Sequence, residues 1–102
     1  MATLQEVITQ IRAAATGNSS IDNVISDFLA LPRNRDWTRN PDSLRVQLPG
    51  GVRIDHGVDA NGERMVTVGT PPEFADHVHG WHPTNPHLAA VAGILTKLRP
   101  GG

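Results

Sequence analysis

Two stretches in the first third of the chain carry apolar residues at helical spacing. In each, apolar side chains recur every three or four positions, which places them on one face of a helix. The first stripe contains Leu4, Val7, Ile8, Ile11 and Ala15, and the second contains Ile21, Val24, Ile25, Phe28 and Leu29. A short Gly-Asn-Ser link separates the stripes, so the pattern predicts an antiparallel helical hairpin over residues 3–31.

The spacing of apolar residues changes to two in the middle of the chain, which is typical of β-strands. Three short runs show this alternation, at residues 44–48, 52–56 and 64–68. Glycine-containing tight turns separate the runs from one another. The pattern therefore predicts a three-stranded antiparallel β-meander over residues 43–68.

A further helical stripe follows a loop rich in histidine and proline at residues 71–84. Asn85 suits an N-cap and Pro86 suits the first helical position, so we predict a C-terminal helix over residues 85–99. The order α-α-β-β-β-α then predicts a single domain of the α+β class over residues 1–102, with the helices packed on one face of the meander.

Composition narrows the classes of function without choosing one. The chain has 102 residues, no cysteine, and nine basic against ten acidic residues. Disulfides, cysteine-ligated zinc and thiol catalysis are thereby excluded, and a generally basic nucleic-acid binder is not indicated. The chain lacks both a long apolar run for a membrane span and the features of a signal peptide, so we expect a cytoplasmic protein without membrane contact.

The segment from Phe74 to His87 holds four of the five histidines. On an extended segment His77 and His79 point the same way, and His82 follows three positions later, so zinc bound by these side chains is one hypothesis. A pH-responsive contact surface is a second, because histidine titrates near neutral pH. We favour a polar loop without a bound cofactor, since no HExxH helix accompanies the histidines.

The two tryptophans lie in polar segments and are candidate binding anchors. Trp37 is surrounded by Arg33, Arg35 and Arg39, a set that can hold phosphates while the indole stacks on a base. The alternative is a solvated loop whose charges are partly balanced by neighbouring aspartates. Trp81 either covers the sheet or contacts a partner, since tryptophan is enriched at interface hot spots.

His56 follows two apolar residues on the same face of a predicted strand. Its side chain is therefore expected on the core side, as a structural residue at the end of the sheet. In the alternative interpretation His56 is a general base, with Asp55 or Asp59 close in sequence. The sequence contains neither a nucleophile elbow nor a phosphate-binding glycine loop, so a non-enzymatic protein is favoured.

The segments LPGGVRIDH and MVTVGTPP resemble a pattern found in HicA-type toxins. From the second helix onward, the predicted order α-β-β-β-α is similar to the double-stranded-RNA-binding-like fold of that family. The resemblance implies RNA binding and cleavage of messenger RNA, with His56 near the position of the family's histidine. The family's Gly-Ser-His tract is missing here, and the extra N-terminal helix and the His/Pro loop depart from the pattern.

Three classes of function follow from these features. We favour a small interaction module, of the kind found among phage and bacterial accessory or inhibitor proteins, that binds a protein partner through the two tryptophans and the three clustered arginines. The alternatives are an RNA-binding protein or small RNase that uses His56, and a metal-binding domain that holds zinc. A homodimer is a further expectation, because the strand RMVTVG carries few charges to protect an open edge.

Overall fold

A computed structural model describes residues 3–73 and 75–99, with the backbone alone for Pro41. The described elements are α1 (Leu4–Ala13), α2 (Ser19–Leu29), α3 (Pro41–Arg45), β1 (Arg53–Val58), β2 (Arg64–Gly69), β3 (Val78–His82) and α4 (Pro86–Leu98). The strands form one antiparallel sheet in the order β1-β2-β3. The predicted α+β class is confirmed, with two helices, a three-stranded meander and a closing helix, and the short helix α3 is an addition.

The first two helices pack against each other as their apolar stripes predict. Thr3 and Glu6 form a capping box at the start of α1, and the Asn18 side chain accepts a hydrogen bond from the Ile21 amide to cap α2. Both apolar faces enter one core that also includes residues of α4. No helix in the described part of the chain has the length and apolar content needed to cross a lipid bilayer.

The first predicted strand, at residues 44–48, is wrong. The chain forms α3 at Pro41–Arg45 and then turns. Leu44 is fully buried and Leu48 packs against the core, whereas Val46 between them is 75% exposed. Leu44 and Leu48 are four residues apart and so lie on one face of a helical turn, which a proline at the first helical position starts. A short alternating run is therefore equally compatible with a helical face.

The third strand of the sheet comes from the segment predicted as a His/Pro loop, residues 71–84. β1 and β2 match the second and third predicted runs, and β3 extends the meander beyond the predicted limit at residue 68. Gly80 lies in the middle of β3, so this strand shows no apolar alternation. The strand RMVTVG is the central strand β2, so the prediction that it has an open edge is wrong, because β1 and β3 pair with its two sides. A homodimer stays a prediction.

The long helix α4 crosses the sheet and covers β2 and β3. Val66 and Val68 of β2 are fully buried under it, and Gly80 of β3 faces Gly93 of the helix. Because neither glycine has a side chain, the backbones of β3 and α4 come into direct contact. The helices occupy this face of the sheet. Among the described residues no helix covers the opposite face, which we call the uncovered face, and the candidate site lies there.

Candidate partner-binding surface

The strand β3 presents a row of aromatic rings on the uncovered face. Alternate residues of a strand point to opposite faces, so His79 and Trp81 point outward while Gly80 between them faces α4. The ring centroids of His77 and His79 are 4.9 Å apart, and those of His79 and Trp81 are 5.4 Å apart. Three rings in contact therefore run along this face.

The neighbouring strand extends the row of rings into a patch. In the sheet register Met65 of β2 lies opposite Trp81, and Thr67 lies opposite His79. The Thr67 hydroxyl is 3.2 Å from His79 Nδ1, which orients that imidazole. Trp81 keeps 38% of its surface exposed. We refer to Met65, Thr67, His77, His79 and Trp81 as the β3 patch.

A groove of about 580 Å³ opens between α1 and β3, next to the β3 patch. One wall is the face of α1 that carries Leu4, Ile8 and Arg12, and the other is the edge of β3. Ala92 and Thr96 of α4 form the floor. The volume of this α1–β3 groove is within the range of sites that hold ligands.

An ionic contact holds the segment before β3 against α4. The Asp76 carboxylate accepts hydrogen bonds from Lys97 Nζ at 2.8 Å and from the Thr70 amide and hydroxyl, each at 3.0 Å. The hydrogen bond from Lys97 makes the largest contribution and those from Thr70 come next. Together they hold the pKa of Asp76 well below its usual range. The carboxylate is therefore ionised at neutral pH, and the segment that leads into the β3 patch is tied to α4.

His82 is a structural residue at the junction of three segments. It faces the helices and is 2% exposed. The Thr84 and Asn85 amides donate to its Nδ1 at 3.1 and 2.9 Å, which places the ring proton on Nε2. That nitrogen lies 2.6 Å from the Ala14 carbonyl oxygen, to which it donates. One imidazole thereby joins the end of β3 to the start of α4 and the end of α1.

The predicted zinc set of His77, His79 and His82 does not come together. His82 lies on the face of the sheet opposite to His79, and both of its nitrogens are already used in hydrogen bonds. Among the described residues, no three histidine, aspartate, glutamate or cysteine side chains are placed to share a metal ion.

The Trp37 segment is part of the core and not an exposed binding loop. Trp37 is 3% exposed, and its indole N–H donates to the Ser26 hydroxyl at 2.8 Å. Trp37 as a binding anchor is therefore wrong, because a partner cannot reach it. The segment packs against α2, whereas Trp81 lies on the uncovered face of the sheet, so the two tryptophans do not share a surface.

Two of the three arginines near Trp37 are paired with aspartates of α2. Arg39 donates to the buried Asp22 carboxylate from Nε and Nη2, at 3.2 and 2.9 Å. Arg33 makes a two-point contact with Asp27. Arg35 is exposed, and within the described ranges it forms no ion pair. Arg39 therefore holds its loop against α2 through a buried carboxylate, whereas Arg33 and Arg35 are exposed.

His56 lies on the helix-facing side of β1 but remains exposed. Asp55, expected near it, points to the opposite face of the sheet, and Asp59 accepts hydrogen bonds within the β1–β2 turn. Instead, His56 lines a cavity of about 630 Å³, which we call the His56 cavity. Its polar lining includes Arg39, Asp42, Arg45 and His87.

No protein-family model matches this chain, and no curated protein or solved structure is significantly similar to it. Function is therefore inferred from the β3 patch, the α1–β3 groove and the His56 cavity.

Proposed function

We propose that the protein is a small non-enzymatic interaction module that binds a protein partner through the β3 patch. The observation that carries this proposal is Trp81, which stands on the uncovered sheet face with 38% of its surface exposed and His79 packed beside it. A side chain held by its neighbours loses little conformational freedom when a partner covers it. Tryptophans in such positions contribute a large share of the binding energy of protein interfaces.

The charges around the β3 patch favour a protein partner over a nucleic acid. The patch contains no lysine or arginine, and Arg53 on the same face of the sheet is paired with Asp55 at 2.9 Å. Nucleic-acid backbones are bound by several basic side chains that are free to contact phosphates. Aromatic and apolar contacts without charge are typical of the centre of a protein interface.

We expect Trp81→Ala to weaken partner binding by about 30-fold, the effect of losing a hot-spot tryptophan worth about 2 kcal/mol. The fold should persist, because the indole lies outside the core. The measurement is affinity capture from a lysate of the source organism, quantified by mass spectrometry, with thermal unfolding of the purified variant alongside.

Val58→Ala is the matched control for this substitution. Val58 is 54% exposed and lies at the end of β1, on the far side of the sheet from β3. If Trp81→Ala captures the partner as well as Val58→Ala does, the proposal is contradicted. So would a Trp81→Ala protein that has lost its cooperative unfolding transition, since Trp81 would then belong to the core.

The His56 cavity supports a second candidate function, RNA binding, which the resemblance to HicA-type toxins also implies. His56 and His87 line this cavity of about 630 Å³ together with Arg39 and Arg45. Guanidinium groups bind phosphate oxygens, and an imidazole beside them is suited to act as a general base. Arg39 is already paired with Asp22, so Arg45 has the greater freedom to contact a phosphate.

This candidate predicts binding of a short single-stranded oligouridylate that weakens as salt rises. Fluorescence anisotropy should give a slope of log affinity against log salt of about 0.7 for each phosphate contacted. Arg45→Ala should lower the affinity and reduce the slope by about 0.7, the value for one phosphate contact. Arg35→Ala, an exposed arginine outside the cavity, is the control. Absence of binding at low salt, or equal effects of the two variants, would remove RNA from consideration.

A further inference from the structure

The hydrogen bonds of the turn between β1 and β2 show which backbone N–H and C=O groups of β2 point toward β1 and which point toward β3. The Asp59 amide donates to the Glu63 carbonyl oxygen at 3.0 Å, which makes this the first hydrogen-bonded pair of the hairpin. Hydrogen-bonded and non-hydrogen-bonded pairs alternate along an antiparallel ladder, so Met65 and Thr67 bond toward β1. The alternate residues of β2, which include Val66, therefore direct their backbone hydrogen bonds toward β3.

The same alternation identifies the free groups on the outer edge of β3. Val66 pairs with Gly80, so Gly80 and the residues two positions away from it bond back to β2. The backbone N–H and C=O groups of His79 and Trp81 therefore point away from the sheet. In the described part of the chain, Val78–His82 makes no backbone hydrogen bond beyond the β2 ladder. Such a row of donors and acceptors is a template for another strand.

The space beside this edge is open because the helical layer is wider than the sheet. α1 packs against α4 and, of the three described strands, contacts β3, so it lies beyond the last strand. The α1–β3 groove of about 580 Å³ is the position that a fourth strand would occupy. Leu4 and Ile8 of α1 line this position with apolar surface.

We propose, on the basis of the proposed function, that the partner contributes an extended segment that pairs with β3 as a fourth strand. Its backbone bonds to the outward groups of His79 and Trp81. Side chains on one face of the segment enter the groove beside Leu4 and Ile8, and those on the other face extend the β3 patch. The positions that contact Leu4 and Ile8 are apolar, and Arg12 at the groove wall is already paired with Glu63 at 2.9 Å.

A second copy of this chain is a poor occupant of the same edge. Antiparallel pairing of two β3 edges about a two-fold axis places both helical layers on one side of the combined sheet. Because α1 lies beyond β3, the α1 of each copy would then enter the space that α1 and α4 of the other copy hold. An extended segment brings no helix with it and reaches the edge without this conflict.

The test begins with a phage-displayed library of random short peptides, selected on the full chain. The selected peptide is synthesised in unmodified form and as a series with one N-methylated backbone amide each, and its affinity for the wild-type protein is measured by calorimetry. Strand pairing predicts that N-methylation at alternate positions lowers the affinity by about ten-fold or more, whereas the intervening positions tolerate it. Hydrogen exchange should show fast-exchanging His79 and Trp81 amides in the free protein that become protected in the complex.

Two variants separate the strand inference from the proposed function. Trp81→Ala reports on the patch, and Ile8→Glu places a charge in the groove, with Val58→Glu as its control on the opposite edge strand. If peptide binding depends on Trp81 but is unaffected by N-methylation and by Ile8→Glu, the proposed function stands. The inference that the partner pairs as a fourth strand is then overturned. The N-methylation series uses wild-type protein, so it decides the matter even if Ile8→Glu loses stability.

Three other outcomes would also overturn the inference. In the first, the library yields no peptide above background. In the second, the selected peptide leaves the exchange of the His79 and Trp81 amides unchanged. In the third, those amides are protected without peptide and native mass spectrometry shows a dimer, which would assign the edge to a second copy.

Discussion

Gly80→Ala is expected to unfold the protein or to lower its Tm by about 15 °C or more, which corresponds to a loss of about 3 kcal/mol for a chain of this size. A Cβ at this position would meet the backbone N of Gly93 and the carbonyl oxygen of Ala89, and would lie 2.6 Å from Gly93 Cα. Backbone atoms of a helix cannot rotate aside as a side-chain tip can. The whole of α4 would have to move away from the sheet, opening the core beneath it.

Two other glycines provide graded controls for this substitution. A Cβ at Gly57 on β1 would have nothing within 4 Å, so Gly57→Ala should leave the Tm almost unchanged. A Cβ at Gly93 would lie 2.6 Å from Val66 Cγ2, a side-chain tip that can shift, so Gly93→Ala should have an intermediate effect. Calorimetric unfolding measures the Tm of the three variants, which should decrease from Gly57→Ala through Gly93→Ala to Gly80→Ala. A Tm for Gly80→Ala close to that of Gly57→Ala would contradict the direct contact of β3 with α4.

Asp22→Asn is expected to lower the free energy of unfolding by about 2–3 kcal/mol, because it leaves a buried polar network with mismatched partners. The Asp22 carboxylate is 1% exposed. It accepts hydrogen bonds from the amide and hydroxyl of Thr38 at 2.7 and 2.6 Å and from the Arg39 guanidinium at 2.9 Å. The side-chain amide of an asparagine would place its own N–H group against one of these donors, where no hydrogen bond can form. Half of Arg39 faces solvent, which limits the loss to less than that of a fully buried pair.

Asp27→Asn is the matched control for Asp22→Asn. Asp27 lies on the same helix and pairs with an arginine of the same loop, but both partners are exposed. Exposed pairs contribute little because water screens them, so this variant should unfold with nearly the same denaturant midpoint as the wild type. Equal destabilisation by the two substitutions would show that burial of Asp22 does not control the stability of the loop. Urea titration followed by tryptophan fluorescence measures both.

The helices with clear stripes could be predicted from the sequence, and the short elements could not. The stripes of α1, α2 and α4 extend over several turns, so helical period is unambiguous there. Residues 44–48 offered only three apolar positions, which fit a strand and a helical turn equally well. β3 could not be detected, since Gly80 interrupts its buried face and its outward side chains are histidine and tryptophan.

The two tryptophans could not be told apart by sequence, because their burial depends on distant residues. Trp37 is buried by the packing of its loop on α2, where Ser26 accepts its indole N–H. Trp81 is exposed because no helix in the described part of the chain covers its side of the sheet. One signal of the groove was present in α1: Leu4 and Ile8 form a second apolar column beside Val7 and Ile11.

The hydrogen bond between His82 and Ala14 has a mechanical consequence for the groove. It fixes the C-terminal end of α1 to the end of β3, while Leu4, at the other end of the helix, is about 15 Å away. The other end of the helix is held as well, because Leu4, Val7 and Ile11 are buried in the core. The helix is therefore anchored along its length, and the distance between α1 and β3 across the groove is set by the fold.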